Sequence, residues 1–415
     1  MSASAADIDD AIVTILLRMR RTTSAVSLAE VDGSREGDLH FLKQFWAASP
    51  QVSEFAQYLL THSHEAHAVL HLHRKAATGM LKGRLDAVET TRQQVASGNP
   101  ALLVCHEAIR TYQSGLNHLV VWVLEEARRH CQRMLESTTP ESRYAEQFGA
   151  AIRRLEQASR VERIRSASEQ VDLRRRPAPL ILTLAKRSRT TLYRLAAKAF
   201  TLLQAIERND AVALRDLLQH TLLGPLETWR RFELLVAVAI GDALARTLGV
   251  SCKLSASFAG DEGVLMRVGR FRVHWQARTT YFVAPPLEPS ERRTAEILSA
   301  LGFRSGWDRP DIVVTCAETE AVVALAEVKY FASSEGDGKD AVRAAIDQLV
   351  RYARGYRPED EWDDLLTHSL VVPVVQGFAV PQPKAGGIPW IVDLKSIQAQ
   401  GLNSWSHALI AASRP

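Results

Sequence analysis

Cysteine is scarce and scattered in this 415-residue chain: Cys105, Cys131, Cys252 and Cys316 form no CxxC pair. That spacing argues against a disulfide framework or a cysteine-based zinc site and fits reduced, buried thiols. Long apolar runs are also missing, since none approaches the roughly 20 residues a bilayer-spanning helix needs. The opening residues, MSASAADIDD, are acidic and lack the basic-then-apolar layout of a secretory signal. The expectation is a cytoplasmic protein with no membrane segment. No GxxxxGK[ST] loop occurs, which argues against a P-loop nucleotide hydrolase. Net charge is only +4, too mild to announce a nucleic-acid binder by itself. What is present is an ordinary globular composition, 46% hydrophobic and 24% charged, in a chain long enough for two or three domains.

The first half reads as helical. Residues 8–22 and 38–60 carry apolar side chains at helical spacing, separated by the glycine-containing loop VDGSREGD. His62, His64, His67, His71 and His73 follow, and His64, His67 and His71 would share one face of a helix. A metal site is the less favoured reading of this cluster. No cysteine lies near, His64-Glu65-Ala66-His67 is one residue short of HExxH, and the histidines alternate with core-type Leu and Val. GRLDAVETTRQQ (83–94) and HEAIRTYQSGLNHLVVWVLEEA (106–127) come next, the second a turn entering an apolar helix where Asn117 caps or bends the start.

Arginine and lysine concentrate between residues 143 and 198, with Arg153, Arg160, Arg163, Arg174, Arg175, Arg176, Lys186, Arg187 and Arg189 the candidate phosphate contacts. The competing reading is a solvated helix face partly neutralised by Glu156, Glu162 and Glu169. RRRPAP at 174–179 reads as a hinge. The domain expectation is therefore an N-terminal helical segment at 1–80, a basic helical domain at 81–222 and a third domain at 223–415. The first two may equally be read as one continuous helical domain.

The chain after Pro225 changes character. A long helix ends at Gly249 and carries Glu233 inside its apolar part, where a carboxylate needs a partner. Either Glu233 belongs to a functional acidic cluster, with Glu227 as the substitute, or it pairs with Arg230 or Arg231. Residues 264–283 alternate as a strand or hairpin, 290–303 read as a short helix, and 368–380 as an apolar strand. Between them lies the most informative stretch, Trp307 to Tyr352. Asp311 opens the run Ile312-Val313-Val314, and 321–326 lead into Glu327-Val328-Lys329. Side chains alternate along a strand, so Glu327 and Lys329 share a face. A hairpin through 316–320 would set Asp311 beside Glu327. On the amphipathic helix that follows, Gln348 and Tyr352 fall at i and i+4 on one face.

Two carboxylates and an ammonium on one patch of sheet suit phosphodiester hydrolysis, in which hard oxygens hold Mg²⁺ or Mn²⁺. Carboxylates favour the charged form of a neighbouring lysine, which gives Lys329 an electrostatic role. The bland alternative is a surface ion-pair set at a sheet edge. Asp311…Glu327-Val328-Lys329 resembles the PD-(D/E)xK nuclease signature, with Pro310-Asp311 its first half. Gln348 and Tyr352 resemble the QxxxY element of its RecB-like branch. The sequence RPDIVV, then EVKY, then DQLVRYA is similar to McrC-like proteins, the nuclease subunits of McrBC-type restriction systems. Glu327 stands where that family commonly has Asp, and Gln113-Ser114-Gly115-Leu116-Asn117 matches its TPEN-type element only at the asparagine.

The resemblance implies an α+β protein, mainly helical in its first half and ending in a restriction-endonuclease-like αβββαβ domain. It implies catalytic roles for Asp311, Glu327, Lys329, Glu233, Gln348 and Tyr352. Asp311, Glu327 and the Val328 carbonyl would be ligands of Mg²⁺ or Mn²⁺. It implies a DNA endonuclease of a bacterial anti-phage or restriction system, with RNA not excluded, and a separate AAA+ or helicase-type NTPase subunit as motor. Cutting both strands with one site per chain would call for a homodimer. The alternative function is a non-catalytic nucleic-acid-binding or NTPase-stimulating subunit on a nuclease fold.

Overall fold

The computed structural model describes residues 4–26, 34–81, 83–136, 138, 143–254, 263–277, 289–300, 309–330, 338–357, 362–374 and 387–413. The expected strand ends at 278–283 and 375–380, the helix end at 301–303 and the lead-in at Trp307 lie outside them. The chain is α+β. Its first half carries α1 (Ala5–Val26), α2 (Ser34–Ala47), α3 (Pro50–His62), β1 (Val69–Thr78), β2 (Arg84–Leu85), α4 (Ala87–Ser97) and β3 (Leu102–Thr111). Then come α5 (Gly115–Glu136), α6 (Arg143–Ser159), α7 (Glu162–Gln170), α8 (Pro179–Lys186), α9 (Thr191–Glu207) and α10 (Ala211–Leu218). The second half carries α11 (Thr228–Leu248), β4 (Cys252–Leu254), β5 (Val264–Val268), β6 (Phe271–Trp275), α12 (Pro289–Ala300), β7 (Ile312–Cys316) and β8 (Val322–Lys329). It closes with α13 (Gly338–Tyr356), α14 (Trp362–Thr367), β9 (Leu370–Pro373), β10 (Trp390–Ile391), α15 (Leu394–Gln398) and α16 (Asn403–Ala412). Among the described residues no helix is long and apolar enough to cross a membrane.

Two compact units form, and neither is one continuous stretch. One comprises Met1–Trp46, Gln132–Gly149 and Ala205–Pro415, the other Ala47–Cys131 and Ala150–Gln204. Their limits do not coincide with boundaries at 80 and 222. The helix expected over 38–60 is broken at Ser49-Pro50, where Ser49 caps α3 and the proline occupies its first turn.

The smaller unit, built from residues 47–131 and 150–204, contains a three-stranded antiparallel sheet in the order β1-β3-β2. Here the helical expectation is corrected. Ser63–Glu65 is a single 3₁₀ turn, and His71 and His73 lie on β1, which pairs with β3 from Val69↔Thr111 to Thr78↔Leu102. His64, His67 and His71 therefore share no helix face. Leu70-His71-Leu72-His73 alternates with period two, the signature of a strand, and pairing with β3 settles the competition. Asn117 is also not the cap of α5: the Ser114 hydroxyl accepts the Asn117 backbone N–H at 3.1 Å. The buried Asn117 side chain donates at 2.8 Å to the carbonyls of His67 and Tyr112 and accepts the Tyr193 hydroxyl at 2.9 Å. One amide thus ties α5 to the ends of two strands and to α9.

The larger unit is organised on a seven-stranded sheet of order β10-β9-β8-β7-β6-β5-β4. Strands β4 to β8 pair antiparallel, while β8–β9 and β9–β10 are parallel. Helix α11 packs on β5, β6 and β8, and α13 packs on β8 and β9. The approach of α11 to the sheet is close: a Cβ at Gly241 would come within 2.6 Å of Met266. Helix α1 lies on α11, held by Arg18 to Asp242 at 2.6 Å and by Arg231 to Asp9 at 2.7 Å. Between α13, α14 and the sheet, Val313, Leu325, Leu349, Tyr352, Leu365 and Val371 share one apolar cluster. This layer fixes the helix that carries Gln348 against the strands that carry the acidic residues.

Candidate active site

The site begins with a local hairpin. Cys316 N–H donates to Ala321 O at 2.9 Å, and Glu320 closes the turn with φ +57. Pairing runs Ile312↔Ala326, Val313↔Leu325, and one further step along this register sets Asp311 opposite Glu327. The Asp311 carboxylate accepts the Val328 backbone N–H at 2.8 Å, which locks the aspartate to the neighbouring strand. Glu327 is buried, and its Oε1 accepts from the Lys329 ammonium at 2.7 Å. That ammonium also donates to Gln348 Oε1, bridging β8 to α13. Tyr352, one turn further along α13, is buried in the apolar cluster and anchors the helix face that presents Gln348.

A third carboxylate enters from α11. Arg231 is committed to Asp9 and Arg230 to Glu227 at 3.4 Å, so neither is the ion-pair partner of Glu233. Glu233 is buried and accepts a short hydrogen bond from Gln276 Nε2, with the Trp275 indole N–H at 3.4 Å. Phe232 beside it meets Tyr330 at a ring separation of 6.1 Å, which brings this turn of α11 to the end of β8.

The three carboxyls disfavour one another's ionisation. Burial, then the neighbouring Asp311 charge, push both Glu233 and Glu327 up to about 8. Burial raises Asp311 to about 6, against the Val328 N–H and the charges of Lys329 and Arg309 that hold it down. Glu327 Oε2 is buried and accepts no hydrogen bond. A buried acceptor left over among mutually repelling carboxylates is what a hard divalent cation would satisfy, so the donor chemistry fits Mg²⁺ or Mn²⁺. Among the described residues, no three His, Cys, Asp or Glu side chains close into a finished ion cage. The donor set would thus need main-chain oxygen or water to complete it.

Gln276 is the residue that the sequence did not disclose. It ends β6 with φ +52, a conformation costing a non-glycine residue on the order of 1 kcal/mol. Its N–H donates to Asp311 O at 2.8 Å, its Nε2 holds Glu233, and its Oε1 accepts from Arg309 at 2.9 Å. A glutamine after an alternating strand carries no signal of such a role.

The basic residues lie in the smaller unit and do not form one uniform patch. Arg176 stacks on Phe200 and Trp122 at 5.0 and 5.7 Å. Arg163 donates to the His64 carbonyl at 2.8 Å, Arg160 faces Glu156 at 3.9 Å and Arg175 faces Asp172 at 3.4 Å. Arg153, Arg174, Lys186, Arg187 and Arg189 are exposed.

No family model matches the chain, and no curated protein does. Among solved structures, the chain is similar to one from a refined half-complex of a tetradecameric assembly of Thermococcus gammatolerans McrB AAA+ hexamers with bound McrC. The TM-score is 0.26 at 13% identity, covering 99% of this chain and 78% of that chain, too distant to carry an argument.

Proposed function

We propose that this protein is a metal-dependent nuclease that hydrolyses phosphodiester bonds in DNA, and that residues 223–415 contain its restriction-endonuclease-like core. The observation that supports the reading best is the meeting of buried Asp311, Glu327 and Glu233 with a Lys329 ammonium held by Glu327 and Gln348. Burying like charges together is costly, and a scaffold gains nothing from it. Asp311 and Glu327, with the Val328 carbonyl, would hold the divalent ion, and Glu233 would adjoin it. When bound, the ion polarises the phosphoryl oxygen and acidifies a water molecule.

The chain's own residues supply positioning and charge. Lys329 offers a cation to the phosphorane oxygens, and Gln348 fixes its direction. Asp311 is held in place by the Val328 N–H. Tyr352 keeps α13 against the sheet. Exposed Arg153, Arg174, Lys186, Arg187 and Arg189 offer phosphate contacts along the backbone. The similarity of the PD, ExK and QxxxY residues to the McrC-like pattern supports a restriction-type role with an AAA+ partner as motor. The test is cleavage of plasmid and linear DNA in Mg²⁺, Mn²⁺ and EDTA by the wild type and by Asp311→Asn. Metal-dependent products that disappear in the variant support the proposal; metal-independent products would remove it.

A further inference from the structure

Three buried carboxylates repel a polyanion, so a phosphodiester reaches this site only where cations receive it. The Lys329 ammonium is already engaged by Glu327 and Gln348 on the inner side of the site. Arg309 is different. It is exposed, it lies two residues before Asp311, and one of its terminal nitrogens is steered by Gln276 Oε1 at 2.9 Å. A guanidinium carries five donors in a planar fork, so the bond to Gln276 orients it while leaving other N–H groups for an anion. Gln276 is itself fixed at both ends, by its N–H on Asp311 O at 2.8 Å and by its Nε2 on Glu233. Its left-handed backbone, φ +52, is the kind of local strain that persists where the surroundings demand one side-chain direction.

We infer that Arg309 is the substrate-binding residue at the rim of the acidic site, receiving a backbone phosphate of the nucleic acid, and that Gln276 is the positioning residue that couples this clamp to Glu233. The inference rests on the nuclease reading of the acidic cluster and adds the residue that brings the phosphodiester to it. Arginine suits the task because its fork meets two phosphate oxygens at once, with an orientation that Gln276 sets before binding. The glutamine is neutral, so it can touch Glu233 and Arg309 together without adding charge to a cluster that already repels itself.

The experiment measures binding of a fluorescein-labelled DNA duplex to the full-length protein in Ca²⁺ by anisotropy. It also measures steady-state cleavage in Mg²⁺ and Mn²⁺ affinity by electron paramagnetic resonance. Arg309→Ala is expected to weaken DNA binding and raise KM on the order of 10- to 100-fold, the range for a lost charge-assisted contact, with Mn²⁺ affinity unchanged. Arg309→Lys should recover part of the loss. Gln276→Ala should weaken DNA binding in the same sense, and Arg309→Ala with Gln276→Ala should be no worse than the poorer single variant, because both remove one clamp. DNA affinity of Arg309→Ala within twofold of wild type would overturn the inference whatever the cleavage result. Fully additive losses would overturn the coupling through Gln276. Loss of DNA affinity in Arg309→Ala, with a wild type that neither cleaves nor binds Mn²⁺, would uphold the clamp while refuting the nuclease reading.

Discussion

Replacing Glu327 by Gln removes a buried charge while keeping the shape of the side chain and the acceptor that Lys329 uses. In the metal-free protein Glu327 is raised from an ordinary 4.5 to about 8, first by burial and then by the charge of Asp311. A carboxyl whose folded-state value is raised favours the fold only while protonated. Its contribution is complete below about 4.5 and is lost as pH rises through about 8. At roughly 1.4 kcal/mol per pH unit the whole interval would amount to several kcal/mol. The penalty is shared among three coupled carboxyls, and the new amide must also be accommodated. Glu327→Gln should therefore recover about 1–3 kcal/mol at pH 8.5. For a cooperative unit of the size of the larger one, that is a rise in Tm of about 2–5 °C without metal, shrinking toward zero near pH 4.5. Differential scanning calorimetry of wild type and variant across that pH range, in EDTA and in Mg²⁺, is the assay. Mg²⁺ should raise the Tm of the wild type, more at higher pH, and leave the variant nearly unchanged. A metal-free variant less stable than wild type at pH 8.5 would refute the reasoning, because the carboxylate would then be stabilising the fold without an ion.

Gln348→Leu removes the acceptor that fixes Lys329 from α13, and cleavage should fall on the order of 10- to 100-fold in kcat with KM little changed, measured on plasmid DNA. An unchanged kcat would mean that Glu327 alone positions the ammonium. Asn117→Ala strands the Tyr193 hydroxyl and the carbonyls of His67 and Tyr112, so it should cost about 2–4 kcal/mol in urea unfolding followed by circular dichroism. A loss below 1 kcal/mol would show that water replaces the amide, on the usual scale of one net hydrogen bond.

How far the sequence discloses this structure depends on the separation of the interacting residues. Asp311 and Glu327 sit on one short hairpin, so apolar runs and a polar turn suffice to set the register Ile312↔Ala326. Gln348 and Tyr352 follow from the period of a single helix. The same logic misread the stretch 62–73, where histidines at helical spacing masked the period-two alternation of β1, and where the partner β3 lies some thirty residues on. Gln276 stayed hidden for another reason. Its three contacts come from Glu233, Arg309 and Asp311 on separate elements, and glutamine gives no warning of a left-handed φ. The attachment of α1 to α11 through Arg18–Asp242 and Arg231–Asp9 spans more than 200 residues and leaves no local trace.

Lys329→Ala is the direct test of the central claim. Purified wild type and variant are compared on plasmid, linear and single-stranded DNA in EDTA, Mg²⁺ and Mn²⁺, with folding checked by circular dichroism. The account predicts metal-dependent cleavage by the wild type, none in EDTA, and a loss of at least about 100-fold in the folded variant. Cleavage that persists in Lys329→Ala would contradict it and place the chemistry elsewhere.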